Sequence, residues 1–325
     1  MKSLKRIIPI VIGIALVSLF MGCQGKKDTE ASDTAQTRGM EAEGTAALPE
    51  KPFYVLVVGN DSRTATVEIG IPQYADGIGR SDTMILMRID PKAYQVTLVT
   101  VPRDTECTVD GNPGRKINEA YYKKGIKGAV GAVEELTGVT VTYYFDMGFV
   151  EFEKFVNALG GVTAHVPIDM SLKDIVSGDT VTLNAGTQAL DGPKALVLAR
   201  IRKLYENDQD ACRQIQDRQI VEAIISQIAK NSGLVSRGVD ALLANTDTNW
   251  PKDELTALVT DFAVHAKEIT LLSGTGPYQG YVFEEYEAQW LVPRDKALWR
   301  EVMRIVDEGG DPKTLVALPE VKAAS

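Results

Sequence analysis

The chain has 325 residues, of which 44% are hydrophobic and 24% charged, the composition of a globular protein with a sizeable core. Its formal net charge of −9 excludes bulk attraction to nucleic acid or to anionic lipid, so an anionic ligand has to be held by a local cluster of cations. Its two histidines, His165 and His265, stand far apart in apolar segments, which argues against a zinc site and against Ser-His-Asp chemistry.

Lys2, Lys5 and Arg6 precede the apolar run IIPIVIGIALVSLFMG, Ile7 to Gly22, a basic region followed by a hydrophobic one as in export signals. The run is shorter than the roughly 20 residues that cross a bilayer and contains Pro9 and Gly13. Cys23 follows Gly22, which leaves two alternatives: residues 1–23 are a lipoprotein signal with the lipid on Cys23, or they stay as an uncleaved membrane anchor. Phe20 and Met21 are bulkier than the residues usual before a lipidated cysteine. Either alternative tethers the rest of the chain to the extracytoplasmic face of a bacterial cell membrane. Residues 24–50 are polar, small and aperiodic, which predicts a flexible linker. Residues 51–310 are expected to fold, and 311–325 form a C-terminal tail.

Within the folded part, FYVLVVG (Phe53–Gly59) is a continuous apolar run rich in β-branched residues and predicts a buried central strand. TMILMRI and QVTLVTV flank the turn DPKAY and predict a hairpin. GAVGAVEELTG predicts a short helix stopped by Gly138, and TVTYYFDM a strand. FVEFEKFVNALGG carries Phe149, Phe152, Phe155, Val156 and Leu159 at helical spacing. VTAHVP reads as a strand, and GPKALVLARIR and CRQIQDRQIVEAIISQIAK as helices. The second of these aligns Ile220, Ile224 and Ile228 on one face. WPKDELTALVTDFAVHA starts a helix near Pro251, and PRDKALWREVMRIVDEGG gives the last. The elements mix without a strict βαβ repeat, so the fold class is α/β, a central mixed sheet with helices on both sides. There is no Walker-type phosphate loop and no nucleophile elbow.

Four segments end an apolar element in paired Arg and Asp: VVGNDSR (Asp61, Arg63), GRSDTM (Arg80, Asp82), VPRDT (Arg103, Asp104) and LARIRKLYENDQDACR (Arg200, Arg202, Asp208, Asp210, Arg213). A guanidinium is a planar fork that grips two phosphate oxygens and keeps its charge. A short Asp carboxylate is a hard ligand for Mg²⁺, which takes its remaining ligands from water and phosphate. Arg and Asp converging at strand ends therefore suit a metal-bound pyrophosphate. The plainer alternative is a set of structural salt bridges, although a buried ion-pair cluster without a ligand is costly.

The segments VLVVGNDSR, GRSDTMILMRIDP, VTLVTVPRDT, KINEAYYKKG, LGGVTAHV, LNAGTQALDGPKALVLARIR and DACRQIQDRQ follow in that order over roughly residues 53–230. Together they resemble the LytR-CpsA-Psr family of cell-envelope glycopolymer ligases. The resemblance implies a sheet flanked by helices with a hydrophobic pocket for a polyprenyl tail. It implies Mg²⁺-assisted transfer of a glycopolymer from an undecaprenyl-pyrophosphate carrier to peptidoglycan, typically the C6 hydroxyl of N-acetylmuramic acid, with formation of a phosphodiester. Arg80, Arg103, Arg200, Arg202 and Arg213 are then the pyrophosphate ligands, with Lys116 and Gln219 as further candidates. Asp61 and Asp82 are the metal ligands. Arg103, Asp104, Arg200, Arg202 and Asp210 carry the chemistry, Asp210 either as a base or as a partner to Arg. Arg213 and Arg218 are five apart where the family spaces its arginines three apart, and Asn60 stands where the family often has Thr. Because the resemblance brings the third and fourth motifs together, Cys107 and Cys212 are expected to form a disulfide. Two alternatives share the donor site: hydrolysis of the lipid pyrophosphate, and a non-catalytic envelope regulator. The acidic charge and the lack of a DNA-binding segment speak against contact with nucleic acid.

Overall fold

The computed structural model describes residues 47–62 and 79–324. Cys23, the apolar run before it and Arg63 lie outside the described residues. In chain order the elements are β1 (Phe53–Asn60), β2 (Ser81–Asp90), β3 (Gln95–Thr100), the hairpin β4 (Glu106–Val109) and β5 (Asn112–Lys116), α1 (Ile117–Thr137), β6 (Val141–Met147) and α2 (Phe149–Ala158). Then come β7 (Val162–Val166), β8 (Met170–Lys173), β9 (Thr180–Leu183), β10 (Gly186–Leu190), α3 (Gly192–Arg200), α4 (Gln209–Lys230) and α5 (Val235–Ala244). The remainder is β11 (Asp247–Thr248), α6 (Lys252–Val264), β12 (Thr270–Thr275), the hairpin β13 (Tyr281–Phe283) and β14 (Gln289–Leu291), and α7 (Lys296–Asp307). Among the described residues no helix is long and apolar enough to cross a membrane.

The central sheet has the order β11-β6-β1-β2-β3-β12. β2 is antiparallel to both β1 and β3, while β1–β6 and β3–β12 are parallel, so the sheet is mixed, as the sequence predicts. Side chains alternate along a strand, and β2 uses both faces. Met84 and Leu86 point to one face and pack with Tyr54, Leu56 and Val58 against α1 and α7, through Ala129, Val133, Trp299 and Val302. Ile85, Met87 and Ile89 point to the other and pack with Phe53 and Val55 against α6, through Leu255, Leu258 and Phe262. β1 is covered on both sides, which is why it reads as an uninterrupted apolar run.

Two departures from the sequence reading have local causes. α1 begins at Ile117, well before GAVGAVEELTG, and contains Gly125 at φ 61°, ψ −151°. Lys116 offers no capping side-chain bond at the start, so the usual start signal is missing, and the glycine break in the middle hides the continuity. At the other end Gly138 is left-handed, φ 79°, and its N–H donates to the carbonyl of Glu134, the expected stop. The C-terminal residues dock on the segment between α3 and α4: the Ala324 N–H donates to Leu204 O at 2.8 Å, and the Glu206 N–H donates to Lys322 O at 3.0 Å.

The expected disulfide does not form, because Cys107 and Cys212 are both free, buried thiols. Cys107 on β4 belongs to the core beneath α1 and α7, whereas Cys212 on α4 belongs to a separate core with Val166, Leu190 and Tyr205. The two motifs do meet, but through long side chains, and each cysteine points away from that meeting into its own core. Burial pushes both thiols up to about 11. Reductant should therefore leave the urea midpoint unchanged, and at neutral pH an alkylating reagent should label Cys107 and Cys212 only after unfolding. A midpoint that drops on reduction would contradict this arrangement.

Candidate functional site

A cavity of about 490 Å³ lies between the second face of the sheet and helices α2, α4 and α6. Its floor is Ile85, Met87 and Ile89 of β2, and its walls include Phe149, Phe152 and Phe155 of α2 and Ile220, Ile224 and Ile228 of α4. The isoleucine ladder spaced by four residues thus faces a slot rather than a closed core. From Thr83 to Ile89 the strand covers about 20 Å at ~3.3 Å per residue. Charge is confined to one end, where Asp61, Asp82, Arg103, Arg200, Arg202, Arg213 and Asp217 line the mouth.

Backbone irregularity puts the acidic residues there. Gly59 pairs with Thr83 but Asn60 pairs with Ser81, so the register shifts and Asp82 has no opposite number on β1. Such a bulge re-aims a side chain out of the sheet alternation. Asp61 is held by reciprocal contacts to Arg80: the Asp61 N–H donates to Arg80 O at 3.1 Å, and Asp61 Oδ1 accepts from the Arg80 N–H at 2.6 Å. This approach needs Gly79, since a Cβ there would fall 2.6 Å from Asp61 Oδ1. Asn60 Oδ1 accepts from both the N–H and the hydroxyl of Ser62. Asn60 Nδ2 donates to Asp146 Oδ1 at 2.8 Å, and the Tyr121 hydroxyl donates to Asp146 Oδ2 at 2.7 Å. Burial raises the Asp146 carboxyl, against the lowering effect of those two bonds.

The arginines divide into two kinds. Arg213 is 5% exposed, and a guanidinium has five N–H groups. All five are engaged: Nε and Nη2 with the two oxygens of Asp210 at 3.1 and 3.3 Å, Nη1 with Asp217 Oδ2 at 2.6 Å and Thr83 Oγ1 at 3.1 Å, and Nη2 also with Asp82 O at 2.9 Å. The Thr83 hydroxyl in turn donates to Asp217 Oδ2 at 2.9 Å. Arg213 therefore fastens α4 to the start of β2, with its five N–H groups engaged within the protein. Arg103 differs. Its Nη1 donates to Asp82 at 2.9 Å, its Nη2 meets Asp210 at 3.0 Å, and its buried Nε, without a hydrogen bond, lies 3.8 Å from Asp104 Oδ2. Its guanidinium thus lines the mouth among three carboxylates.

The carboxylates follow from these contacts. Burial pushes Asp210 up, but Arg213 and Arg103 outweigh it and hold the carboxyl at about 2. Asp210 is thus a poor proton acceptor near neutrality and acts as a partner to the arginines. Burial pushes Asp217 up to about 6 even against Arg213 and Thr83. Arg200 lines the mouth with its guanidinium 5.0 Å from the Phe149 ring, and Arg202 lines it as an exposed side chain. Arg80, Asp104, Lys116 and Gln219 are not among the lining residues. Arg80 is exposed 6.0 Å from the Tyr122 ring, and Lys116 Nζ pairs with Asp104 Oδ1 at 2.6 Å. Arg218 turns away from the mouth, 1% exposed, and donates to Thr100 Oγ1 at 2.5 Å. The residues not foreseen are Thr83, Tyr121, Asp146 and Asp217. Of these Asp217 had a signal, since it follows Arg213 by four residues on a helix.

A family model described as the LytR_cpsA_psr family matches residues 19–295. The chain is 29% identical over 270 residues to the polyisoprenyl-teichoic acid–peptidoglycan teichoic acid transferase TagU of Halalkalibacterium halodurans, covering 81% of this chain and 82% of that one. It is 29% identical over 307 residues to TagV of Bacillus subtilis, which carries the same transferase name, covering 87% and 75%. Among solved structures, that of B. subtilis TagV superposes with a TM-score of 0.65 at 25% identity, covering 84% of this chain and 100% of that one. The structure of TagT bound to LI-WTA gives 0.58 at 25% identity, covering 80% and 92%.

If Arg213 is a brace, its loss is first a stability defect. Arg213→Met should lower the unfolding free energy by about 3–5 kcal/mol by stranding buried carboxylates, whereas Arg200→Ala should not. Asp210 has its folded value depressed below the ordinary 3.8. Its contribution is present above pH 3.8 and is lost as pH falls through about 2, so Asp210→Asn should flatten the acid limb of the stability profile. Equal urea midpoints for Arg213→Met and wild type would refute the brace.

Proposed function

The chain belongs to the LytR_cpsA_psr family, and from that premise we propose that it transfers a glycopolymer from a polyprenyl-pyrophosphate carrier to peptidoglycan. The observation that carries the reading is the joining of an arginine-lined mouth to a narrow apolar slot: one ligand with a pyrophosphate head and a long hydrocarbon tail matches both. The transferase names of the relatives supply the polymer class and the acceptor. The carrier is undecaprenyl pyrophosphate, and the acceptor group is the C6 hydroxyl of N-acetylmuramic acid. The N-terminal segment, through Cys23 or as an anchor, keeps the chain at the outer face of the membrane where both substrates meet.

Transfer joins the oxygen of the sugar hydroxyl to the phosphorus that bears the polymer, breaks the bond to undecaprenyl phosphate, which departs with the balance of the hydroxyl proton, and leaves a phosphodiester. Catalysis of such a step is mainly positioning and charge stabilisation. Arg103 grips the pyrophosphate with the N–H groups it does not give to Asp82 and Asp210, and Arg200 and Arg202 close on it from α3 and the turn beyond. Arg213 and Asp210 keep Arg103 in place. Among the described residues no group of three or more His, Cys, Asp or Glu side chains is gathered to hold a metal by itself. Asp61 and Asp82 at the mouth nonetheless fit Mg²⁺, which is commonly held by one or two carboxylates together with phosphate oxygens and water. When bound, the ion offsets charge on the phosphate oxygens.

Arg103→Ala should lower kcat/KM by about 10²–10³-fold, the range for removing a donor aimed at developing charge. Asp61→Ala or Asp82→Ala should abolish turnover or raise the Mg²⁺ requirement, and undiminished activity in excess EDTA would remove the metal from the reading. Consumption of lipid-linked donor should depend on added glycan acceptor; equal consumption without acceptor would identify a hydrolase. Ile224→Trp fills the slot, so it should raise KM for an undecaprenyl donor more than for one shortened to a few prenyl units. An equal effect on both donors would place the tail elsewhere.

A further inference from the structure

We propose that residues 320–324 form a strap that positions Arg202 at the mouth, so that the grip on the pyrophosphate depends on the C-terminal tail. The inference rests on the pyrophosphate reading of the mouth given above. Arg202 stands in the segment 201–208 that joins α3 to α4. It is exposed and lines the mouth, and among the described residues no carboxylate pairs with it. Arg103, by contrast, is aimed by three carboxylates. The direction of the Arg202 side chain is therefore set by its backbone.

That backbone is held by the tail. Within the segment, the Tyr205 N–H donates to Arg202 O at 3.0 Å, a single turn that ties the two residues together. Asp208, the last residue before α4, is left-handed at φ 44° and makes no capping side-chain bond. Among the described residues, the only backbone hydrogen bonds from this segment to anything beyond α3 and α4 go to the tail. The Ala324 N–H donates to Leu204 O at 2.8 Å, and the Glu206 N–H donates to Lys322 O at 3.0 Å. These bonds flank an antiparallel bridge between Tyr205 and Ala323, so the tail is added to the segment as a short strand. Val321 packs against the core that contains Ile201, Tyr205 and Cys212. The Cys212 thiol lies 3.7 Å from Glu320 O, as a weak donor.

The strap is anchored at its other end on the central sheet. Past α7, Pro312 packs against Gly274 of β12, where a Cβ would fall 2.7 Å from the proline ring. Val316 then packs on the core beneath α1 and α7, and Val321 on the core around Tyr205. Tyr205 is fully buried, yet its hydroxyl has no hydrogen-bond partner, so apolar cover and the bridge to Ala323 keep it in place. Lifting the strap uncovers Tyr205 and returns Leu204 O and the Glu206 N–H to water. A segment with so few bonds of its own opens locally, and the turn that begins at Arg202 loses its direction. The family model matches residues 19–295, so Arg202 lies inside the match and the strap beyond it. The placing of a ligand in the matched part thus rests on residues outside it.

The test uses the full chain and farnesyl pyrophosphate, a soluble ligand with a pyrophosphate head and a short prenyl tail, so that binding is read without transfer. Ala324→Pro removes the N–H that donates to Leu204. Val321→Asp puts a charge into the apolar anchor, and Ala324→Gly keeps the N–H. Each of the first two should raise the dissociation constant about tenfold, in the range for one lost hydrogen bond to a charged group. Each should also open the segment to trypsin after Arg202 or Lys203, while Ala324→Gly should match wild type in both readouts. Arg202→Ala should weaken binding by a similar factor, and adding Ala324→Pro to it should weaken binding no further, because the strap acts through Arg202. A merely structural contact has no such dependence on Arg202. Unchanged binding in Ala324→Pro and Val321→Asp, or full additivity with Arg202→Ala, overturns the strap. Wild-type protein that does not bind farnesyl pyrophosphate refutes the pyrophosphate reading and the strap with it, whereas binding that the variants keep refutes the strap alone.

Discussion

Arg213 and the groups around it hold the mouth in register. Its guanidinium sits between two carboxylates of its own helix, a hydroxyl on β2 and the carbonyl of Asp82. A buried charge of this kind is tolerable only with full hydrogen bonding. Once it is satisfied, α4 cannot slide along the sheet without stranding at least one of those groups. Asp82 stays at the bulge, Asp210 stays beside Arg103, and the isoleucines further along α4 stay over the floor of the slot. A local ion-pair cluster therefore sets the alignment of an apolar cavity that extends well beyond it. Around Arg213 the salt-bridge reading of the Arg/Asp clusters describes the contacts found.

The slot comes from how β2 divides its side chains. Met84 and Leu86 join a closed core with α1 and α7. Ile85, Met87 and Ile89 meet helices whose facing residues leave a gap. Period-two alternation cannot distinguish the two outcomes, because both faces ask for Val, Ile, Leu and Met. This is why the apolar runs were legible as strands of a mixed sheet, while the slot was implied only by the family resemblance. Ile220, Ile224 and Ile228 look the same in sequence whether they fill a core or line a channel.

The same limit applies to the arginines. Composition and position brought Arg103, Arg200, Arg202 and Arg213 together correctly, since all four line the mouth. It did not show which of them is braced, because that depends on counting acceptors around each guanidinium. Arg213 has its acceptors at i−3 and i+4 on its own helix, and helical spacing alone brings both carboxylates to it. Arg103 stands in an irregular segment after β3 and meets its acceptors one at a time, from β2 and α4. The disulfide failed for a related reason: two motifs can meet through extended side chains while their backbones, and the Cβ vectors of adjacent cysteines, diverge into different cores.

Helical spacing thus makes a brace at Arg213, and chain crossing sets the fork at Arg103. A fork held only by flexible contacts would collapse onto Asp82 and Asp210 in several ways and lose the directionality that makes a guanidinium better than an ammonium for phosphate. A brace alone would offer no donor. With Asp210 shared between Arg213 and Arg103, the brace fixes the carboxylate, and the carboxylate fixes the fork. Its low proton affinity keeps that link charged across the neutral range. Any substitution that weakens the brace therefore reaches Arg103 at the mouth through Asp210.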